Sequence, residues 1–563
     1  MFINIKNKRC LFGPVLLAIS LLACKQSFLD ITPKDQLSAE TIFADTGGGD
    51  LFLNDIYNSL PDADAGSYNY DPMENYGENS VSGFQWAMSW QLSISRNYGP
   101  NSLNPGLYNH DYPAMPFMYD KMYARIRKCN LFIQQVQQHS ANYQADWIKK
   151  RIAEARFLRA FFYHEAWMAY GGVPLITVPL NRTTQGNDIF KPRSTAAETY
   201  QFIVDDLTAA AADLPVELGG GRATKGAALA LRGWVELFAH KYKEAAATNQ
   251  QIINEMGNGN PYTLFADYNN QFLVENNNNS ESIFAYQHSV PLRASSKSTY
   301  FGPKGEYGGW GQMQPTQGMV DDYAMSNGLP VTDPASGYDP ARPYENREPR
   351  FYKSILYNGA VFAGKTYDMK KGGEFALNPG AENNTGYFRR KGIDERLKGQ
   401  TNLDGSNYIF FRYAEVLLNF AEASIEMGET GAATTDAIDK VRQRSGLPTL
   451  MNTYHRTLSQ SELRTVVRRE RRVELAFENK RYWDLIRWRT AEAVLNQPVY
   501  GVEITDAGGG TLNYNLKVVV HKKQFFTKNY LFPIYQGWID ANPVIKAQNG
   551  GPDNWTNGQN PGY

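Results

Sequence analysis

Four acidic side chains, Asp71, Glu74, Glu78 and Asp111, lie in or beside a stretch crowded with rings and amides. Two carboxylates facing each other across a sugar at about 5 to 9.5 Å would hydrolyse a glycosidic bond, so their separation in space decides whether this is acid–base chemistry. A denser charge run holds Glu470, Arg471, Arg472, Glu474, Glu478, Lys480, Arg481, Asp484 and Arg487. Acids and bases three and four apart on a helix pair with one another, and the reading for this run is ion pairing, with no catalytic group. The seven histidines, His110, His139, His164, His240, His288, His455 and His521, show no metal-ligand spacing. None stands beside a nucleophile motif, and no metal or cofactor is expected.

The rings themselves are the better functional candidates. The chain has 35 Tyr, 29 Phe and 10 Trp at a mean hydropathy of −0.48, so many rings sit among polar neighbours. Sugars need that mixture, because their C–H faces pack on rings while their hydroxyls need hydrogen bonds. Tyr68, Tyr70, Tyr76, Trp86, Trp90 and Tyr98 are interleaved with Asn75, Asn79, Gln85, Arg96, Asn97 and Asn101. Further on, Tyr300, Tyr307, Trp310 and Tyr323 repeat the mixture with Lys304 and Asp321. Ligand contacts are therefore expected from Tyr76, Trp86, Trp90, Tyr98, Asn101, Tyr300, Tyr307 and Trp310. The competing use of the same rings is a core for the segment that carries them.

The first residues bear Lys6, Lys8 and Arg9, then an apolar run from Leu11 to Ala23 that is too short to span a bilayer as a mature helix. With Leu21-Leu22-Ala23-Cys24 at its end, 1–23 reads as a lipoprotein signal peptide, and Cys24 is expected to carry the acyl chains as the new N-terminus. Residues 24–37 read as a tether, since Pro33 and the polar content disfavour a helix; extended, it reaches roughly 40 Å. Cys10 leaves with the signal and Cys24 is acylated, so Cys129 remains alone and no intrachain disulfide is possible. Cys129 falls in a helical pattern and is expected to be a small buried hydrophobe. The signal removes three of 57 basic side chains and no acidic one. The near-neutral remainder has neither a basic stripe for nucleic acid nor a polybasic membrane patch.

What positions the rings is a set of helices. Met122, Ile126, Cys129, Phe132, Ile133 and Val136 recur at three and four, as do Ile148, Ile152, Ala155, Leu158, Phe162 and Ala166 before the stop at Gly171-Gly172-Val173-Pro174. Thr195 to Glu198 has capping-box spacing ahead of a third helix, and another follows from Lys225 to His240 before a restart at Lys241. A block from Tyr413 to Arg444 breaks near Gly428, and Ser459 to Glu462 caps a helix expected to reach Trp488. The Ala-x-x-x-Phe spacing in helix-turn-helix pairs looks like tetratricopeptide repeats, loosely matched. The expected fold is mainly α: one body over 38–563, its helical-repeat scaffold at about 38–60, 118–256 and 409–490. A loop-rich lobe at about 61–117 and 257–408, with short strands such as Ser282 to Gln287, holds the ligand. A C-terminal segment covers 491–563, with a strand piece at Lys517 to Val520.

Ala153-Glu-Ala-Arg-Phe-Leu-Arg-Ala-Phe-Phe-Tyr163 with Tyr170-Gly-Gly-Val-Pro-Leu-Ile176 resembles a helix and turn of the SusD/RagB family. So do Tyr123 to Asn130, Trp310 to Thr316, Asn346 to Phe351, Tyr413 to Ala423, Arg471 to Trp488, and the ending from Phe532 to Tyr563, in the family's order. Asn479 stands where the family usually has glycine, and it is expected to enter the left-handed region as asparagine can. The resemblance implies a non-catalytic, lipid-anchored nutrient-binding protein of the outer membrane. It would capture an oligosaccharide, or in some relatives a peptide, for a SusC-like TonB-dependent transporter. A glycoside hydrolase on an all-α scaffold and a plain protein-binding repeat are the alternative classes.

Overall fold

The computed structural model describes residues 39–62, 72–84, 119–218, 220–379 and 383–563. The expected signal peptide, Cys24 and the tether lie outside them. The scaffold starts with α1 (Thr46–Asn58), α2 (Tyr119–Gln138), α3 (Ala145–Tyr170), α4 (Ala196–Asp213), α5 (Lys225–Phe238) and α6 (Tyr242–Met256). It resumes with α9 (Tyr413–Glu426), α10 (Ala432–Arg444), α11 (Gln460–Glu474) and α12 (Arg481–Arg487), after two short lobe helices, α7 (Lys297–Phe301) and α8 (Pro349–Ser354). Local chemistry sets the starts: the Asp45 carboxylate accepts from Gly48 N–H, and Thr195 with Glu198 and Ser459 with Glu462 close reciprocal capping boxes.

Each helix packs on its chain neighbour from α1 to α6, α6 packs on α9, and α9 on α10 and α11, as in a repeat scaffold. Close approach of α5 and α6 depends on Gly233, where a Cβ would stand 2.5 Å from the Asn249 amide. Cys129 is fully buried on the apolar stripe of α2, and burial pushes its thiol far above the usual range, as a small hydrophobe should behave.

Two expectations change. The helix from Ser459 does not reach Trp488 but stops at Glu474, and α12 begins six residues after Leu475, at Arg481. Between them Phe477 and Asn479 take left-handed backbone, φ 63° and 60°. Their N–H groups donate to the buried Glu74 carboxylate, both at 3.1 Å, while Asn479 Oδ1 accepts from Glu74 N–H at 3.0 Å. A buried acid thus supplies acceptors that the helix would otherwise provide. The strand piece at Lys517 to Val520 belongs to a long ribbon: of the lobe and C-terminal strands, β1 (Ser80–Val81), β2 (Ser282–Tyr286), β3 (Gln314–Pro315), β4 (Tyr408–Arg412), β5 (Pro498–Gly508) and β6 (Thr511–Lys522), the last two pair antiparallel across a glycine tip. Leu512, Tyr514, Leu516 and Val518 alternate toward the lobe, a period-two pattern that turn glycines at 508–510 complete.

Strand β4 pairs with β2 and runs directly into α9, while β1 pairs with β3 with Ser80 opposite Pro315 and Val81 opposite Gln314. The second pairing brings the first insertion against the second. A separate ring-rich core fills the lobe, with Phe301, Tyr307, Tyr323, Phe351, Phe362, Tyr367, Tyr387 and Phe388 all buried.

Glu165 of α3 is 7% exposed, its Oε2 has no hydrogen-bond partner, and burial pushes its carboxyl up to about 8 against the pull of Arg125. A carboxyl raised in the fold holds its proton more tightly there than in the unfolded chain. The stability it lends is therefore present below the ordinary carboxylate pKa and lost as pH rises toward 8. Glu165→Gln is expected to stabilise the protein at pH 8 on the order of 2 kcal/mol, with no gain below about pH 4.5. Melting temperatures of both proteins across that range test this; a gain independent of pH would refute the titration.

Candidate ligand-binding site

Three half-buried rings meet where the two insertions join. Trp310 lies edge-on to Tyr300 with centroids 4.7 Å apart, and Phe84 lies edge-on to Trp310 at 6.2 Å. Tyr300 belongs to α7, which is fixed from beneath: Lys297 Nζ donates to Ser406 Oγ at 2.6 Å and to Phe272 O at 3.1 Å, and Ser298 Oγ donates to Asp404 Oδ2 at 2.6 Å. The loop after α7 folds back on it. Trp310 N–H donates to Thr299 O at 2.8 Å, Gln312 N–H to Tyr300 O at 2.8 Å, and Gly311 N–H to Gly302 O at 2.9 Å. This return passes so close that a Cβ on Gly309 would stand 2.2 Å from Gly302 O. Phe84 is brought in by β1, whose extension lets Gly83 N–H donate to Gln312 O at 3.2 Å. The rings are thus held by backbone hydrogen bonds on a rigid base, the pre-organisation that limits the ordering cost of binding.

Beneath the lobe lies a block of buried charge. Glu474 of α11 is fully buried and accepts from Arg350 at 2.9 Å, from Arg412 at 2.7 Å, and from Arg444. Arg350 also reaches Glu348 and Glu470, Arg412 reaches Glu281 and Glu478, and Lys391 reaches Glu478 at 2.6 Å. With Arg442 against Glu470, five cations face five carboxylates. Glu348, Arg350 and Lys391 come from the lobe and Glu470 and Glu474 from the scaffold, so the network joins the two. A second set, Arg471 and Arg487 with Glu422 and Asp484, ties α11 and α12 to α9. The charge run of the sequence is structural throughout.

Residues 264–555, more than half of the chain, match the model described as the SusD family. The chain belongs to the SusD family. Residues 27–237 match a second model, described as starch-binding associating with outer membrane. SusD-like protein P38 of Formosa agariphila is 25% identical over 502 residues, which cover 87% of this chain and 92% of that protein. A SusD-like protein of Bacteroides fragilis superposes with a TM-score of 0.75 at 27% identity over 94% of this chain and 100% of the other. A second from the same species, a SusD-like carbohydrate binding protein, gives 0.74 at 27% over 90% and 100%. The mainly α, repeat-like architecture is that of its SusD-like neighbours.

Within this SusD family member the expected ligand residues separate. Tyr300 and Trp310 come together as above, and Trp86, Trp90, Tyr98 and Asn101 lie outside the described residues. Tyr76 and Tyr307 are corrected to core. Tyr76 is 6% exposed and packs edge-on to Tyr482 at 5.9 Å; Tyr307 is 1% exposed, edge-on to Phe362 at 5.2 Å, and its hydroxyl donates to Asp394 O at 2.8 Å. Neither has a ring face left for a ligand. Phe84 was not expected, since it lacks a polar handle; its signal was its place beside Gln85-Trp86 after an extended pair. Of the candidate carboxylates, Asp71 and Asp111 lie outside the described residues. Glu74 is fully buried, pushed up by burial and engaged by Asn79 and two backbone N–H groups. Burial would raise Glu78 too, but Arg481 at 2.6 Å and Arg472 at 3.5 Å hold it at about 2. Both acids serve the fold. No group of three or more His, Cys, Asp or Glu among the described residues is arranged to hold a metal ion.

Proposed function

We propose that this SusD family protein captures oligosaccharide at the outer membrane and passes it to a SusC-like TonB-dependent transporter, without acting on it chemically. The observation that carries the reading is the half-buried trio Phe84, Tyr300 and Trp310, which meets where the two insertions join, while Tyr307 lies buried in the lobe core. A carbohydrate-binding relative at 27% identity supports the ligand class, and the family description that names starch binding and outer-membrane association supports the location. A glycan array with a peptide panel, probed with residues 25–563, tests it. Retention of an oligosaccharide without new reducing ends is expected. Retention of peptides alone would move the ligand class, and new reducing ends would make the protein an enzyme.

Anchoring is read from Cys24, outside the described residues. Two acyl chains hold a protein stably, at about 0.8 kcal/mol per buried methylene. Cys24→Ala is expected to release the protein from membranes while its melting temperature stays unchanged; continued partitioning with membranes would remove the anchor. With both partners in one membrane, a modest interface stays occupied because the effective concentration is high. The scaffold helices are the docking face in this reading, so crosslinks to a large barrel protein should fall within 119–250 or 413–490. Crosslinks confined to the ring-bearing lobe would contradict it.

A further inference from the structure

Beside the left-handed turn at Asn479, α3 meets β4, α5 and the start of α12 around a cavity of about 90 Å³. Phe161, His164, Glu165 and Met168 of α3 line it, and their spacing of three, four and seven from Phe161 puts them on one face of the helix. Two ionisable side chains, 5% and 7% exposed, thus stand in a buried stripe. Polar groups in such a place are ordinarily hydrogen-bonded throughout, and these two are not. His164 Nδ1 is bonded to Phe161 O, and since a carbonyl only accepts, Nδ1 carries the proton and Nε2 is left as an acceptor. Burial pushes His164 down to about 3, so the ring is neutral at pH 7. Glu165 makes no hydrogen bond among the described residues; its Oε2 is enclosed, and Oε1 is the oxygen left to the cavity.

The other polar side chains of the lining are engaged elsewhere. Lys480 donates to Phe410 O at 2.8 Å and pairs with Glu415 at 2.9 Å, Glu478 holds Arg412 and Lys391, and Asn479 Oδ1 accepts from Glu74 N–H. Lys480 also covers the rings of Trp234 and Phe411, at 5.6 and 4.6 Å, so those faces are not open to a guest. What remains is a carboxyl oxygen and an imidazole nitrogen beside Phe161, Met73 and Met168. Two acceptors call for a donor, and a positively charged one makes the stronger hydrogen bonds and offsets the burial that keeps Glu165 protonated. The apolar walls suit a short alkyl group, and a volume below the roughly 150 Å³ that admits benzene limits its length. We propose that this cavity holds a small primary alkylammonium ion, which donates to Glu165 Oε1 and His164 Nε2. It shares no lining residue with the Phe84, Tyr300 and Trp310 cluster, so it goes beyond the capture site proposed above.

A proton is exchanged in the process. The charges that face Glu165 are Arg125 of α2 and, from the link between α11 and α12, Lys480 and Glu478; β4 adds Tyr408 to the lining, and α5 and the first insertion add no ionisable group. Arg125 pulls the Glu165 carboxyl down, but burial outweighs it and the carboxyl is pushed up to about 8. Glu165 therefore carries its proton at pH 7, and a bound cation displaces it into solvent. Affinity should rise about tenfold per pH unit up to that value.

Titration of the full chain with ¹³C-methylammonium chloride between about pH 6.5 and 8.5, read by the NMR line width of the ligand, tests this, with potassium chloride titrated in parallel. Saturation is expected with a Kd on the order of 10 mM at the upper pH, near the ceiling for a guest of two heavy atoms, and with about tenfold weaker binding one pH unit below the Glu165 value. Glu165→Gln, which should fold at least as well as the wild type, is expected to weaken binding by about tenfold or more and to remove its pH dependence. Oligosaccharide binding at the ring trio should be the same in both. No saturable response at the upper pH, equal saturation by potassium, a wild-type affinity independent of pH, or undiminished affinity in Glu165→Gln would each overturn the site and leave the capture reading standing.

Discussion

Glu474→Gln is expected to lower the stability of the protein by about 3–5 kcal/mol, or to prevent folding at ambient temperature. Glu474 is fully buried, and three arginines donate to it. Glutamine keeps the volume and one acceptor oxygen, so packing is nearly conserved and the change isolates the charge. Removing it leaves the buried side chains of Arg350, Arg412 and Arg444 facing only part of their negative complement. The effect also carries a pH signature. Burial alone would raise the Glu474 carboxyl, but Arg444, Arg412 and Arg350 hold it far below the usual carboxylate range. A depressed carboxyl contributes stability that is present above the unfolded-state pKa of about 4.3 and is lost as pH falls toward the folded value. The wild-type protein should therefore lose stability in acid more steeply than Glu474→Gln, and the two denaturation curves should converge at low pH. Parallel curves from pH 7 to 2, or a loss no larger than that from breaking the exposed Lys128–Asp55 pair, would show that the network does not hold lobe to scaffold.

Trp310→Ala is expected to weaken oligosaccharide binding by about 2 kcal/mol or more, some 30-fold, because truncating a stacking anchor forfeits most of the contact area at the centre of a site. Its melting temperature should change little. Trp310 is half-buried and held by backbone hydrogen bonds from Trp310 and Gln312 that the substitution leaves in place. Tyr307→Ala, three residues away, is the contrast: a buried ring in the lobe core with a hydrogen-bonded hydroxyl. That change should cost about 3–5 kcal/mol of stability while the folded fraction binds with undiminished affinity. Isothermal titration and thermal melts on the two variants separate ring as site from ring as core. Equal affinity of Trp310→Ala and wild type would take the trio out of the ligand site.

The helices were legible from the chain because each carries its own signal. The three-and-four stripe through Met122, Ile126 and Cys129, the Thr195–Glu198 and Ser459–Glu462 boxes and the stop at Gly171 are local, each carried by residues within a turn or two of one another. The left-handed turn at Asn479 was legible through the family resemblance, because the family usually has glycine there and asparagine can take the same backbone. The family resemblance added the order of these motifs along the chain. Where α11 ends was not legible, because it is decided by Glu74, some 400 positions earlier, whose carboxylate takes the N–H groups of Phe477 and Asn479. The roles of the rings were not legible either. Tyr300, Tyr307 and Trp310 sit in one short stretch of like composition, yet α7 and the returning loop leave two half-buried against each other and set the third, fully buried, edge-on to Phe362. Ring chemistry is the same for a core and for a sugar platform. Only the tertiary structure, by burying one face or both, decides which use a ring is put to.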